Sequence, residues 1–273
     1  MERGEKINLE KLKKFVLGRQ NEDGGFCFCK PLESTLPETF CAVSILKALR
    51  CTIPKKERLI EFLKRNLRRS TYSIYYTFKT LDALGIQPPR DYEEWIVSKL
   101  RSLTKAVSEV ELRSGGITAT YQFDLPNVLK DVYALVESLK TLGKKVPEEI
   151  VTFVNGFRRC EGFGINSPNL KDSFYAVSIV GCTDGLIDFV MRHRCDGGFS
   201  KKPNSYPPYL EETYYALSIL KLCGVDYRDY RTYDFIVSLQ NKDGGFRRSI
   251  YLGVSTLEFS YYAVECLKCL GML

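Results

Sequence analysis

Five acidic residues, Glu38, Asp131, Asp172, Glu212 and Glu258, each stand at the start of an apolar, aromatic-rich run. Carboxylates brought within several ångströms repel, so one of such a group would keep its proton near neutral pH. A carboxyl of that kind suits general acid chemistry, and a group of them suits Mg²⁺-assisted diphosphate binding. Asp172 and Glu212 are the candidate acids. A plainer role competes, in which each acid only supports the N-terminus of its own helix, worth ~1 kcal/mol. Cations recur as well: Lys201 and Lys202 follow one glycine turn, Arg247 and Arg248 follow another, and Lys171 is near a third. Solvation of the surface would account for them individually. Their recurrence after the same turn argues for one shared patch, with Lys202, Arg247 and Arg248 as candidate diphosphate ligands.

These residues need a scaffold that repeats. Four glycine turns supply its signature: Asp23-Gly24-Gly25-Phe26, Glu161-Gly162-Phe163, Asp196-Gly197-Gly198-Phe199 and Asp243-Gly244-Gly245-Phe246. A unit recurring this way cannot bury its apolar face alone and must stack on its neighbours. The small residues Ala42, Ala134, Ala176, Ala216 and Ala263, which sit within the following apolar runs, fall 92, 42, 40 and 47 residues apart. The first interval is about twice the others, so a worn repeat belongs inside it, and Thr71 to Gly85 fits. A degenerate turn, Ser114-Gly115-Gly116-Ile117, precedes the Ala134 run, which brings the count to six units.

Within a unit the pattern is helix, glycine turn, loop, helix. Residues 231–240 carry Tyr233, Phe235, Ile236 and Leu239 at helical spacing. The glycine pair that follows stops the helix, because glycine accepts left-handed backbone. Strand signals are weak throughout. Six helical hairpins close as an all-α (α/α)6 barrel, a single domain over residues 1–273, or else form an open solenoid with polar caps. The last run, Tyr261 to Leu273, has no polar cap and favours closure.

A closed ring has a lumen, and the aromatic doublets should line it. Neighbouring helical residues lie about 100° apart, so only one of each pair is expected to face inward. Tyr175, Tyr215 and Tyr262 are the candidate lining residues, with Phe174, Tyr214 and Tyr261 packing between inner and outer helices. A wall of aromatic faces suits a polyprenyl chain or a developing carbocation.

The whole chain sets limits. Its 273 residues are 44% hydrophobic and 27% charged, a globular composition. No apolar run is long enough to cross a bilayer, and Met1 to Lys6 lacks the apolar core of a signal peptide, so the cytoplasm is expected. The net charge of +7 is concentrated between Lys55 and Arg69, where apolar residues recur at helical spacing. That stretch reads as the solvated face of an amphipathic helix, or as a docking site for an acidic protein partner. No nucleic-acid-binding signature accompanies it. Ten cysteines without an export signal suggest thiols rather than disulfides. Cys27, Cys29, Cys266 and Cys269 offer a four-thiolate zinc set that is disfavoured, because the first pair lies before an inner helix and the second within or near the end of one. His193, the single histidine, is expected at the surface between Arg192 and Arg194.

The turns Gln20 to Phe26 and Gln240 to Phe246, with the Tyr-Tyr-Ala-Leu element that follows, resemble the repeat of protein prenyltransferase β subunits and squalene/hopene cyclases. The resemblance implies an (α/α)6 toroid whose apolar cavity holds an isoprenoid. It also implies roles: Lys202 and Tyr215 match the family's basic residue and tyrosine for the diphosphate. Glu212 and Tyr214 stand where the zinc-binding aspartate and cysteine would be, and Phe259 stands for the histidine. Phenylalanine cannot bind a metal and a neutral phenol does not replace a thiolate, so zinc is not expected. The cyclases' DxDD cluster is missing as well. The resulting expectation is a protein that binds an isoprenoid or prenyl diphosphate, with zinc-independent transfer or cyclisation. The alternatives are a non-catalytic isoprenoid-binding or protein-interaction scaffold that has lost its zinc site, and the β-like half of a heterodimer.

Overall fold

Two concentric sets of helices make up the computed structural model, which describes residues 6–114, 128–251 and 253–273, with backbone only for 106–114. The outer set is α1 (Leu9–Leu17), α3 (Lys56–Asn66), α5 (Glu93–Ser114), α7 (Glu148–Asn155), α9 (Leu186–Met191) and α11 (Tyr230–Ser238). The inner set is α2 (Leu36–Ala48), α4 (Thr71–Ala83), α6 (Val128–Thr141), α8 (Leu170–Val180), α10 (Leu210–Leu222) and α12 (Leu257–Leu270). Inner helices pack on one another in order around the ring, and α12 packs back on α2. The ring is closed. The division follows from the sequences. In α2 the run Thr39 to Val43 is buried without interruption, as a helix covered on all sides requires. In α3 burial is confined to the stripe Leu59, Phe62 and Leu63. The lysines and arginines of that stretch take the other face, where Lys55 and Arg58 reach Glu22 at 2.8 and 3.2 Å.

The glycine turns latch each unit to the next. At the last one, Gln240 donates through Nε2 to the carbonyls of Gly244 (2.9 Å) and Asn8 (3.1 Å), and its Oε1 accepts from Asn8 N–H at 2.8 Å. Asp243 Oδ1 accepts from Gly245 N–H and from the Ser255 hydroxyl. Gly244 has φ +93°, and a Cβ there would lie 2.3 Å from the Lys11 carbonyl carbon. The sixth turn therefore closes directly on the first helix. The first turn repeats the arrangement, with Gln20 Nε2 donating to Gly24 O and to Pro54 O just before α3.

The phenylalanine ending each turn is buried and its N–H donates to a hydroxyl on the next inner helix. The pairs are Phe26 to Thr39, Phe163 to Ser173, Phe199 to Thr213 and Phe246 to Ser260. Among the described residues two turns also carry small antiparallel sheets, which leave the all-α class unchanged. These are β1 (Arg158–Arg159) with β2 (Gly162–Phe163), and β3 (Arg194–Cys195), β4 (Gly198–Ser200) and β5 (Pro208–Tyr209). At two or three residues each, they are too short for any alternating pattern to register. Of the degenerate turn, Gly115 to Ile117 lie outside the described residues.

Two expectations are corrected. Cys182, after α8, and Cys223, ending α10, form a disulfide with Cα atoms 5.1 Å apart. Successive repeats end their inner helices at the same level, so cysteines at those ends meet. The bond closes a separation of 41 residues, and its loss should cost about 2–4 kcal/mol. Thermal unfolding of Cys182→Ser/Cys223→Ser, and of wild type with and without reductant, measures this. An unchanged midpoint in both would show that the ring already fixes these helix ends.

His193 is buried rather than exposed. It follows α9 and turns inward, where Nδ1 is 2.9 Å from Phe189 O and the ring meets Phe189 at 4.7 Å. Arg192 and Arg194 turn outward to Glu161 and Asp229. Burial holds the imidazole pKa below its ordinary value.

Candidate active site

The inner helices begin at one rim, and three of them are capped by hydroxyl or amide side chains. Thr35, Asn169 and Thr256 accept from the N–H groups of Glu38, Asp172 and Phe259. Glu38, Asp172, Glu212 and Glu258 lie within the first turn and are not the capping residues. Two cavities open here. The lumen has a volume of about 230 Å³, and a wider basin beside it has about 1010 Å³. Lys171, Tyr215, Glu258 and Tyr262 line both, which makes them one continuous site.

Tyr175, Tyr215 and Tyr262 line the lumen, but so do their partners Phe174, Tyr214 and Tyr261. The expectation that only one ring of each doublet faces inward is wrong. Two residues 100° apart can straddle the inward direction at about 50° each, and in a narrow ring both long side chains reach the centre. Small and aliphatic residues such as Ala216 and Leu217 take the packing positions instead. The rings interlock across units: Tyr214 stacks on Tyr262 at 4.6 Å, Tyr133 meets Tyr175 at 4.9 Å, and Phe40 meets Tyr261 at 5.2 Å. Burial raises the pKa of Tyr133, Tyr214 and Tyr261 well above the ordinary value, so all three stay neutral phenols.

The five acids divide among three settings. Asp131 accepts a 2.5 Å bond from the Tyr72 hydroxyl. Glu38 lies at the lumen mouth, its pKa raised by burial and by Glu258, and its Oε2 is buried without a partner. Glu258 accepts from the Tyr262 hydroxyl at 2.9 Å and reaches both cavities. Asp172 and Glu212 line the basin. Burial raises the Asp172 pKa against the opposing pull of Asn169 and Lys171. For Glu212, burial and then Glu211 outweigh Lys201, Arg248 and Lys171, and its pKa is pushed up to about 7.

Lys171, Lys201, Lys202 and Arg248 also line the basin. Arg248 donates to Glu211 Oε1 at 2.5 Å and lies 4.5 Å over the Tyr209 ring. Arg247 is not among them. It borders an outer groove with Gln240 to Asp243 and donates to Ser238 O at 3.3 Å. Glu211 is a site residue that sequence reasoning missed, although the doublet Glu211-Glu212 at a helix start was its visible trace.

The family model of the prenyltransferase alpha-alpha toroid domain matches residues 1–72 and 163–273. The chain belongs to this family. The stretch between the two matched segments holds the worn repeats, which the toroid nevertheless completes with α4 to α7. Solved structures similar to the toroid include a glycosidase, as wild type and as a single-residue variant, at TM-score 0.58 and 10–11% identity. The match covers 97% of this chain and 98% of the glycosidase. A variant of the type II terpene cyclase MstE from Scytonema, bound to geranylgeranyl dihydroxybenzoate, is also similar. Its TM-score is 0.58 at 12% identity, covering 97% of both chains. Curated protein sequences give no match. At these identities the likeness is one of fold, and the fold hosts more than one chemistry.

Proposed function

We propose that this toroid binds a prenyl diphosphate, with the diphosphate in the basin and the isoprenoid chain on the aromatic wall. The observation that carries the reading is the placement of Lys171, Lys201, Lys202 and Arg248 at the mouth of an aromatic lumen. Lysine ammonium groups recognise phosphate oxygens as point charges, and the neutral phenols offer faces to an alkyl chain or an allylic cation. Tyr175, Tyr215 and Tyr262 would carry the first part of that chain. Glu212, whose pKa of about 7 keeps a protonated fraction at neutral pH, would give its proton to the departing diphosphate as the carbon–oxygen bond breaks. The residual allylic cation would then be taken by a nucleophile or by another double bond of the same chain.

Zinc has no place in this step. Tyr214 is a buried, stacked phenol and Phe259 has no donor atom, which leaves Glu212 without co-ligands at the family's metal position. Magnesium would arrive with the diphosphate, and Asp172 and Glu258 are the basin carboxylates that would meet it.

One observation supports a second reading. A carboxyl with a pKa near 7 beside other carboxylates over aromatic rings is also the general-acid pattern of glycoside hydrolysis. Thermal unfolding with geranyl, farnesyl and geranylgeranyl diphosphate, alongside assays of released diphosphate and of nitrophenyl glycoside cleavage, separates the two. A saturating prenyl diphosphate should raise the midpoint by about 5 °C. Stabilisation without released diphosphate would mark a binding protein. Glycoside cleavage with no prenyl stabilisation would overturn the proposal.

A further inference from the structure

Glu38 is a carboxylate that the diphosphate site leaves unused, and the charge around it is ordered. The six inner helices follow one another round the ring, so α2 faces α8 across the lumen and α12 faces α6. Glu38 and Glu258 line the lumen from the neighbouring helices α2 and α12, and Lys171 and Lys130 line it from α8 and α6 opposite. The mouth is therefore polarised. Its basic side continues into the basin through Lys171. On its acidic side Glu38 Oε2 is buried without a hydrogen-bond partner. Neither glutamate forms a salt bridge among the described residues. Arg19, whose charge reaches Glu38, donates instead to the carbonyls of Phe28 and Phe15. Phe40 and Tyr76 line the same opening with ring centres 5.8 Å apart.

Two carboxylates beside aromatic rings call for a cation. A thiolate would be repelled there, and an alcohol would satisfy one oxygen while leaving both charges uncompensated. An ammonium group brings three N–H donors, offsets the charge and is drawn to ring faces. Lys130 already makes that kind of contact in this mouth, 4.9 Å over the Tyr72 ring. The last torsion of a glutamate is soft, so either oxygen of Glu38 can turn to a ligand in the lumen. We propose that the lumen mouth seats a primary amine, held as its ammonium form by Glu38 and Glu258, and that this amine is the nucleophile that takes the prenyl group. The transfer rests on the prenyl diphosphate reading, whereas the seating of the amine does not. Lys171 and Glu258 line both cavities, so amine and diphosphate meet where lumen and basin join. Glu38 takes one proton from the ammonium nitrogen, and the freed lone pair forms the carbon–nitrogen bond as the carbon–oxygen bond breaks. The electron pair of the broken bond leaves with the diphosphate, which receives the Glu212 proton. Glu38 then returns its proton to water at the mouth, and the product is a secondary ammonium ion.

Calorimetric titration with hexylamine and with hexanol, its uncharged match, tests the seat near neutral pH with no prenyl compound present. Hexylamine should bind at least ~10-fold more tightly than hexanol. Glu38→Gln should remove most of that difference without lowering the unfolding midpoint. Incubation of the wild type with geranyl diphosphate and hexylamine should then give N-geranylhexylamine, detected by mass spectrometry. Hexylamine that binds no better than hexanol, or equally well to Glu38→Gln, overturns the amine seat. Geranyl diphosphate converted only to geraniol or a hydrocarbon while hexylamine is bound overturns the assignment of the nucleophile. Amine binding that depends on Glu38, with no stabilisation by any prenyl diphosphate, leaves the seat standing and sinks the prenyl reading. Stabilisation by prenyl diphosphates without amine binding sinks this inference alone.

Discussion

Gly244→Ala should destabilise the protein by about 5 kcal/mol or more, a loss large enough to abolish cooperative folding. Two costs combine. The residue has φ +93°, where any Cβ is strained, and that Cβ would sit 2.3 Å from the carbonyl carbon of Lys11. The clash is with backbone, so no side-chain rotation relieves it. The first and last units would have to separate, taking with them the Gln240 bonds to Asn8 and the packing of Phe246. Gly85→Ala is the control. It has φ +74° but open space around its Cβ position, and should cost only about 1 kcal/mol. Denaturant unfolding of both variants gives the comparison, and equal losses would show that ring closure does not depend on this contact.

That contrast explains why so much of the fold was legible. The paired glycines are visible because no other residue fits backbone pressed against a helix that is distant in sequence. Gln20 and Gln240 are visible beside them because one amide must serve its own turn and the next helix together. The positions of side chains around the centre were harder to read. A helical wheel gives the angle between Tyr214 and Tyr215 but not the radius of the ring, and the radius decides that both reach the lumen. Arg247 and Arg248 show a related difficulty. Arg248 lines the basin and its neighbour Arg247 an outer groove, and nothing in the sequence says which of the two faces the basin. The Cys182–Cys223 pairing depends on two helix ends lying at one height, and the inward turn of His193 on where a short helix stops. Glu212 could be named from its place in the repeat. Its environment could not, because Glu211, Lys201, Arg248 and Lys171 come from four different inner-helix and loop segments.

Glu212→Gln should move stability and turnover in opposite directions, which is the sharpest test of the site. The folded carboxyl titrates near 7, against an ordinary value of 4.5. Between these values the folded protein holds a proton that the unfolded chain has already lost. Stability therefore falls as pH rises from 4.5 to 7 and is level above that window. The variant carries no such group, so its curve should match wild type near pH 4 and exceed it by about 3 kcal/mol at pH 8. Prenyl diphosphate binding should follow the same logic. At pH 8 the ionised Glu212 repels the ligand and the amide does not, so the variant should bind roughly tenfold more tightly there. Diphosphate release should instead drop by about 10²- to 10⁴-fold, because the proton for the leaving group is gone. The wild-type rate should decline above pH 7, and the variant's residual rate should be flat through that range. Release that survives the substitution with its pH dependence intact would remove Glu212 from the chemistry and leave it as a buried charge that the basin tolerates.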